Sequence, residues 1–104
     1  MGIFDFLFKR NNRSQQINEY LEQGAVVVDV RTPAEFSQGS APNAINIPLH
    51  EFKSRLNEVT KIKSPVILCC KSGVRSAQAT SVLRQQRTDC VNGGSWQNVK
   101  SLMN

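Results

Sequence analysis

The sequence predicts an α/β domain with a central, mostly parallel sheet and helices on both faces. Three observations predict it. Short apolar runs recur along the chain: "AVVVDV" (25–30), "NAINIP" (43–48), "SPVILCC" (64–70) and "TDCVNGG" (88–94). Between them lie segments with helical spacing and helix start and stop residues. The strand runs are apolar without strict alternation, the pattern of strands covered on both faces. The chain has 104 residues, enough for one domain and one modest core without a metal or disulfide staple.

Taken in order, residues 14 to 24 form a helix, capped by Ser14 and stopped by Gly24, with Ile17, Tyr20 and Leu21 on one face. "AVVVDV" follows as a buried strand. Thr32, Pro33 and Gly39 mark a short helix by its cap, first position and stop. "NAINIP" is a short strand ended by Pro48. Residues 49 to 60 read as one amphipathic helix with Leu49, Phe52, Leu56 and Val59 on its buried side. "SPVILCC" is a second buried strand, residues 75 to 86 a helix, 88 to 94 a strand ending in a turn, and "SWQNVKSLMN" a closing helix.

The N-terminal "MGIFDFLFKRNNRS" carries Asp5 within an apolar stretch too short to span a membrane. It lacks the basic flank and cleavage site of a signal peptide. Phe6 breaks the myristoylation pattern that Gly2 would begin. Phe4, Leu7 and Phe8 form one face of a short helix, expected to pack on the domain or on a neighbouring chain rather than on a membrane.

The net charge of +5 suits small anions. The basic residues are scattered and not interleaved with aromatics, which argues against a nucleic-acid surface. Cys69, Cys70 and Cys90 are an odd number of thiols, with no Cys-x-x-Cys and no histidine pair, so neither a disulfide framework nor a metal site is expected. Reduced thiols point to the cytoplasm.

The chemistry is expected in "CCKSGVRS" (69–76). A strand runs into a loop and then into a helix N-terminus, the end of an open α/β sheet where ligands bind. Free amides and the positive end of the helix dipole gather there. The amides of Lys71, Ser72, Gly73, Val74 and Arg75 are expected to curl into an anion nest, with Lys71 and Arg75 adding charge and Gly73 supplying an unusual backbone angle. A cysteine at the rim of such a nest loses its proton easily. Cys70 is last before the loop and is therefore the nucleophile. Cys69 precedes it in a strand and points to the opposite face, as an apolar-like buried thiol.

These residues resemble a known family. "CKSGVRS" after a buried strand, with "VVVDVRTPAEF", "NAINIPL" and "VNGGSW" in the same order, is similar to the single-domain rhodaneses from about Ser14 to the C-terminus. Residues 14–104 are then a rhodanese-like domain and residues 1–13 a segment of unassigned role. The resemblance implies a thiosulfate sulfurtransferase that moves sulfane sulfur through a Cys70 persulfide, without a metal or organic cofactor. It implies a small anionic donor such as thiosulfate and an acceptor that is cyanide, a thiol or a protein. It gives Lys71, Ser72, Gly73, Val74, Arg75 and Ser76 as the substrate-binding loop. Arg75 would hold the loop's shape or offset the anionic donor. Asp29, Arg31 and Glu35 match the family's Asp-x-Arg…Glu signature and would support the loop, although an ion-pair or capping network is the favoured reading. Gly93, Gly94 and Trp96 match its closing turn, with Trp96 read as core. A monomer is expected, with no nucleic-acid partner and no membrane span.

The sequence departs from the family at Ser40, which stands where a histidine is common; that histidine is mostly structural. His50, the one histidine, is not expected to be catalytic, and Cys90 is read as a buried strand residue. Two other functions are weighed. Phosphatases and arsenate reductases that use a cysteine and an arginine place five residues between them, whereas four separate Cys70 from Arg75. The smaller ring of amides suits one extra sulfur atom. A non-enzymatic binding module usually loses the nucleophile, which is present here. A protein-to-protein sulfur carrier would look the same in sequence.

Overall fold

A computed structural model describes residues 12–103. The apolar face expected at Phe4, Leu7 and Phe8 lies outside the described residues. Four strands form one all-parallel sheet in the order β2-β1-β3-β4: β1 is Val26–Asp29, β2 Ile45–Asn46, β3 Val66–Cys70 and β4 Cys90–Ser95. The helices are α1 (Asn12–Glu22), α2 (Pro33–Ser37), α3 (Leu49–Phe52), α4 (Leu56–Thr60), α5 (Val74–Leu83) and α6 (Trp96–Leu102). No described helix is long and apolar enough to cross a membrane.

Period-two alternation along β3 sorts its side chains between two cores. Val66, Leu68 and Cys70 pack with Phe52, Val59, Ala79 and Leu83, under α3, α4 and α5. Ile67 and Cys69 pack with Ile17, Val91 and Val99, under α1 and α6. All five β3 residues have no exposed surface, which explains the uninterrupted apolar run. Each large buried side chain contributes roughly 1.5–3 kcal/mol, so each face has its own hydrophobic anchor.

Several boundaries differ from the expectation. α1 starts at Asn12, so Ser14 lies inside the helix rather than capping it. β2 shrinks to two residues because Asn43 takes a left-handed angle (φ 61) before it and Pro48 already caps α3. The single helix expected over 49–60 is two short helices. The chain tightens between them, with the Leu56 amide on the Lys53 carbonyl (3.4 Å) and the Glu58 amide on the Arg55 carbonyl (2.9 Å). Both pieces still bury a residue, Phe52 and Val59, in the same core, so the apolar spacing alone does not reveal the break. The turn expected at Gly93 and Gly94 is instead a bulge. Leu68 pairs with Asn92 and Cys69 with Gly94, which leaves Gly93 as the extra residue. β4 then continues to Ser95, whose hydroxyl caps α6 through the Asn98 amide (3.1 Å).

Candidate active site

β3 delivers Cys70 to the carboxyl end of the sheet, and the chain turns there into α5. The turn depends on Gly73, which caps α5 with a left-handed backbone (φ 103). A Cβ on Gly73 would lie 3.2 Å from the Gly94 Cα, so the bulge on β4 and the loop touch backbone to backbone. The loop is short enough that its own amides reach back to the sulfur. The Gly73 amide donates to Cys70 Sγ at 3.0 Å and the Ser76 amide at 3.4 Å. The Ser76 hydroxyl lies 3.3 Å from the same sulfur. Donors from Gly73 and Ser76 thus reach the sulfur. The amides of Lys71, Val74 and Arg75, also expected in the nest, make no bond to it.

Cys70 has no exposed surface. Burial raises a thiol's pKa, yet the hydrogen bonds from Ser76, Gly73 and Ser72 outweigh it and hold Cys70 below the ordinary value of 9.0. For Cys69, one residue earlier and on the opposite face, burial and then the charge of Asp29 push the thiol strongly up. Cys90 is buried and also raised, by burial first. It pairs with Val66 at the far end of β3, so about 13 Å of strand separates it from Cys70. That exceeds the span of a disulfide.

Arg75 forms a two-pronged ion pair with Glu35 (2.7 and 3.0 Å). Glu35 also closes a capping box with Thr32 at the start of α2. The Arg75 hydrogen bonds are the main reason that its carboxyl falls to about 2. Asp29 and Arg31 form a buried pair (2.7 Å). Arg31 also donates to the Gly39 carbonyl (2.7 Å) and lies 4.6 Å from the centre of the Trp96 ring. The signature residues thus form two linked ion pairs, Asp29–Arg31 against Trp96 and Glu35–Arg75 between α2 and α5, joined where Arg31 donates to the Glu35 carbonyl (3.3 Å). Lys71 is exposed and shares a cleft of about 220 Å³ with Arg31, Glu35 and Trp96. A second cleft, about 260 Å³, is lined by Val30, Thr32, Pro48, Leu49, His50 and Arg75. His50 stands on its rim, largely exposed.

Asn92 escaped the sequence reading. It sits on β4 opposite Leu68, and its amide bonds to Ser76, Gly73 and Gly94. Its sequence signal is weak, one polar residue in a strand otherwise read through its glycines; only the pairing of β4 with β3 brings it beside the loop.

Comparison with known proteins identifies the family. The family model described as a rhodanese-like domain matches residues 14–102. The chain belongs to the rhodanese-like domain family. It is 42% identical over 64 residues to a sulfurtransferase of Allochromatium vinosum, a match covering 62% of this chain and 59% of that one. It is 36% identical over 59 residues to a thiosulfate sulfurtransferase of Escherichia coli, covering 56% and 57%. The chain therefore spans less than two thirds of these relatives. A rhodanese-related protein of Thermoplasma volcanium superposes with a TM-score of 0.70 at 29% identity, covering 85% of this chain and 87% of that one.

Proposed function

We propose that this rhodanese-like chain is a sulfurtransferase that carries sulfane sulfur on Cys70. The observation that carries the reading is the set of donors around Cys70 Sγ, where Gly73 and Ser76 meet a buried sulfur at the N-terminus of α5. The sulfurtransferase relatives support the same reading.

With thiosulfate as donor, the Cys70 thiolate attacks the outer sulfur. A new sulfur–sulfur bond forms, and the old one breaks with its electron pair leaving on sulfite. Three negative charges enter the step and three leave it, one on the persulfide and two on sulfite. Cyanide or a thiolate then takes the outer sulfur and returns the Cys70 thiolate. The backbone amides of Gly73 and Ser76 are already aimed at the sulfur and stabilise its negative charge without moving. The first-turn amides of Val74 and Arg75 are available to the incoming group. Glu35 neutralises Arg75, which makes Arg75 a brace for the loop more than a free charge for the donor. Lys71 is the exposed cation beside the loop and would attract the donor. Three free cysteines suit a cytoplasmic setting, which is the compartment this reading takes.

Intact-protein mass after incubation with thiosulfate tests the reading. Wild type should gain one sulfur atom and release thiocyanate on addition of cyanide, while Cys70→Ser should do neither. Loading only from a protein or small-molecule persulfide would replace thiosulfate as the donor. No loading from any donor would sink the enzyme.

A further inference from the structure

The Ser76 hydroxyl holds one proton and has two acceptors in reach. Its oxygen lies 2.7 Å from Asn92 Oδ1 and 3.3 Å from Cys70 Sγ. Ser76 has no exposed surface, so bulk water offers it no alternative partner.

The orientation of the Asn92 amide follows from its other neighbours. The Gly94 amide can only donate, and it faces Oδ1 at 3.0 Å. The Gly73 carbonyl can only accept, and it faces Nδ2 at 3.0 Å. Oδ1 is thereby fixed as an acceptor toward Ser76. While Cys70 is a thiol, the Ser76 hydroxyl donates to Asn92, and the S–H can donate to the Ser76 oxygen. When the sulfur becomes anionic, the Ser76 hydroxyl must turn from Asn92 to the sulfur. The same Asn92 side chain tethers the carbonyl of Gly73, whose amide donates to the sulfur.

We infer that Asn92 is a positioning residue for the Cys70 sulfur: it competes for the single Ser76 proton and anchors Gly73, and so sets how strongly the loop holds an anionic sulfur. The inference deepens the sulfurtransferase reading and rests on it for the persulfide, but the thiol state can be read without any sulfur transfer.

Among the charged groups around the loop, Arg75 of α5, paired with Glu35 of α2, acts on Cys70; the Asp29–Arg31 pair at the end of β1 acts on Cys69, and Lys71 in the loop and His50 on the rim are exposed. Cys69 beneath it stays neutral because burial raises its thiol. None of these is altered by a change at Asn92, so a shift on substitution reports the two groups that Asn92 holds beside the sulfur, the Ser76 hydroxyl and the Gly73 carbonyl.

The test is the pH profile of iodoacetamide alkylation at Cys70, read by peptide mass. Asn92→Leu removes the competing acceptor and should move the midpoint down by about half to one pH unit. In a Ser76→Ala background the proton under competition is gone, so the downward shift should vanish, and only the upward effect of losing the Gly73 tether can remain. A folded Asn92→Leu variant with an unmoved midpoint, or an equal shift in both backgrounds, overturns the inference. Should Asn92→Leu fail to fold, Asn92→Asp serves instead. Its carboxylate holds the Ser76 proton more firmly and adds a negative charge, so the midpoint must rise, and an unchanged or lower midpoint overturns the inference. A chain that never loads sulfur but shows these shifts would defeat the enzyme reading and leave the role of Asn92 standing.

Discussion

On the α1 side of β3, Cys69 lies among Ile17, Ile67, Val91 and Val99, with the Asp29 carboxylate as its nearest charge influence. On the α5 side, one residue later, Cys70 faces Ser76 and the amides of the loop. Both residues have no exposed surface, but Cys69 lies deeper and burial weighs more heavily on it. The supply of hydrogen-bond donors then separates them further. Burial without donors makes the thiol a small apolar side chain, and burial with donors makes it an anion site. The pleat of one strand separates the two environments by a single peptide unit.

The largest expected effect is in reactivity. Iodoacetamide should alkylate Cys70 with a midpoint below pH 9, while Cys69 and Cys90 react only when the protein unfolds. A difference of ~10³-fold or more is expected from a domain of ordinary stability, measured by peptide mass over time. Comparable labelling of Cys69 in the folded protein would break the comparison.

Next comes the loop itself. Gly73→Ala places a Cβ against the Gly94 backbone at a left-handed angle. It should cost about 1–3 kcal/mol in denaturant unfolding. It should also slow sulfur loading roughly ten- to a hundredfold, because the donors lose their aim.

Glu35 sharpens the comparison through pH. Its carboxyl sits at about 2 in the fold against an ordinary 4.5, chiefly because Arg75 donates to it. A folded value below the unfolded one stabilises the fold fully above the unfolded value and is lost as pH falls through the folded one. Wild type and Glu35→Gln should therefore differ most above pH 4.5 and converge toward pH 2, with denaturant midpoints as the readout. The pair is about one third exposed, so the difference should be on the order of 1 kcal/mol after solvent screening.

The smallest effect belongs to Cys69→Ala. Loading should stay within about twofold, while the small cavity costs about 1–2 kcal/mol in unfolding. A loss of loading in a stable Cys69→Ala protein would mean that the two thiols share the chemistry.

The parts of this design that were readable in sequence are those written in local chemistry. β1 and β3 were readable from β-branched and apolar runs, and α2 from Thr32, Pro33 and Gly39, where Thr32 and Glu35 close a capping box within four residues. The opposite facing of Cys69 and Cys70 followed from strand parity alone. The parts that stayed hidden depend on distant partners. The split between α3 and α4 keeps the same apolar spacing as one helix, so periodicity could not show it. Arg75 had an obvious charge, yet its partner Glu35 lies 40 residues away. Asn92 needed both the β3–β4 register and the Gly93 bulge to become visible.

That 40-residue span has a consequence for the newly made chain. β1 and β3 are separated by the same interval, since Val26 pairs with Val66, and every strand pairing in the sheet is non-local. Arg75 cannot be braced before β1 and β3 have met, and Asn92 cannot reach Ser76 before β4 has docked. Parallel pairing of this kind forms late and slowly. A polypeptide still emerging from synthesis therefore carries Cys70 as an ordinary thiol, no more prone to oxidation or adventitious modification than any other. The donors to the sulfur come from the loop and the first turn of α5, so the sulfur becomes reactive once that turn is held against the sheet, and the fold licenses its own nucleophile.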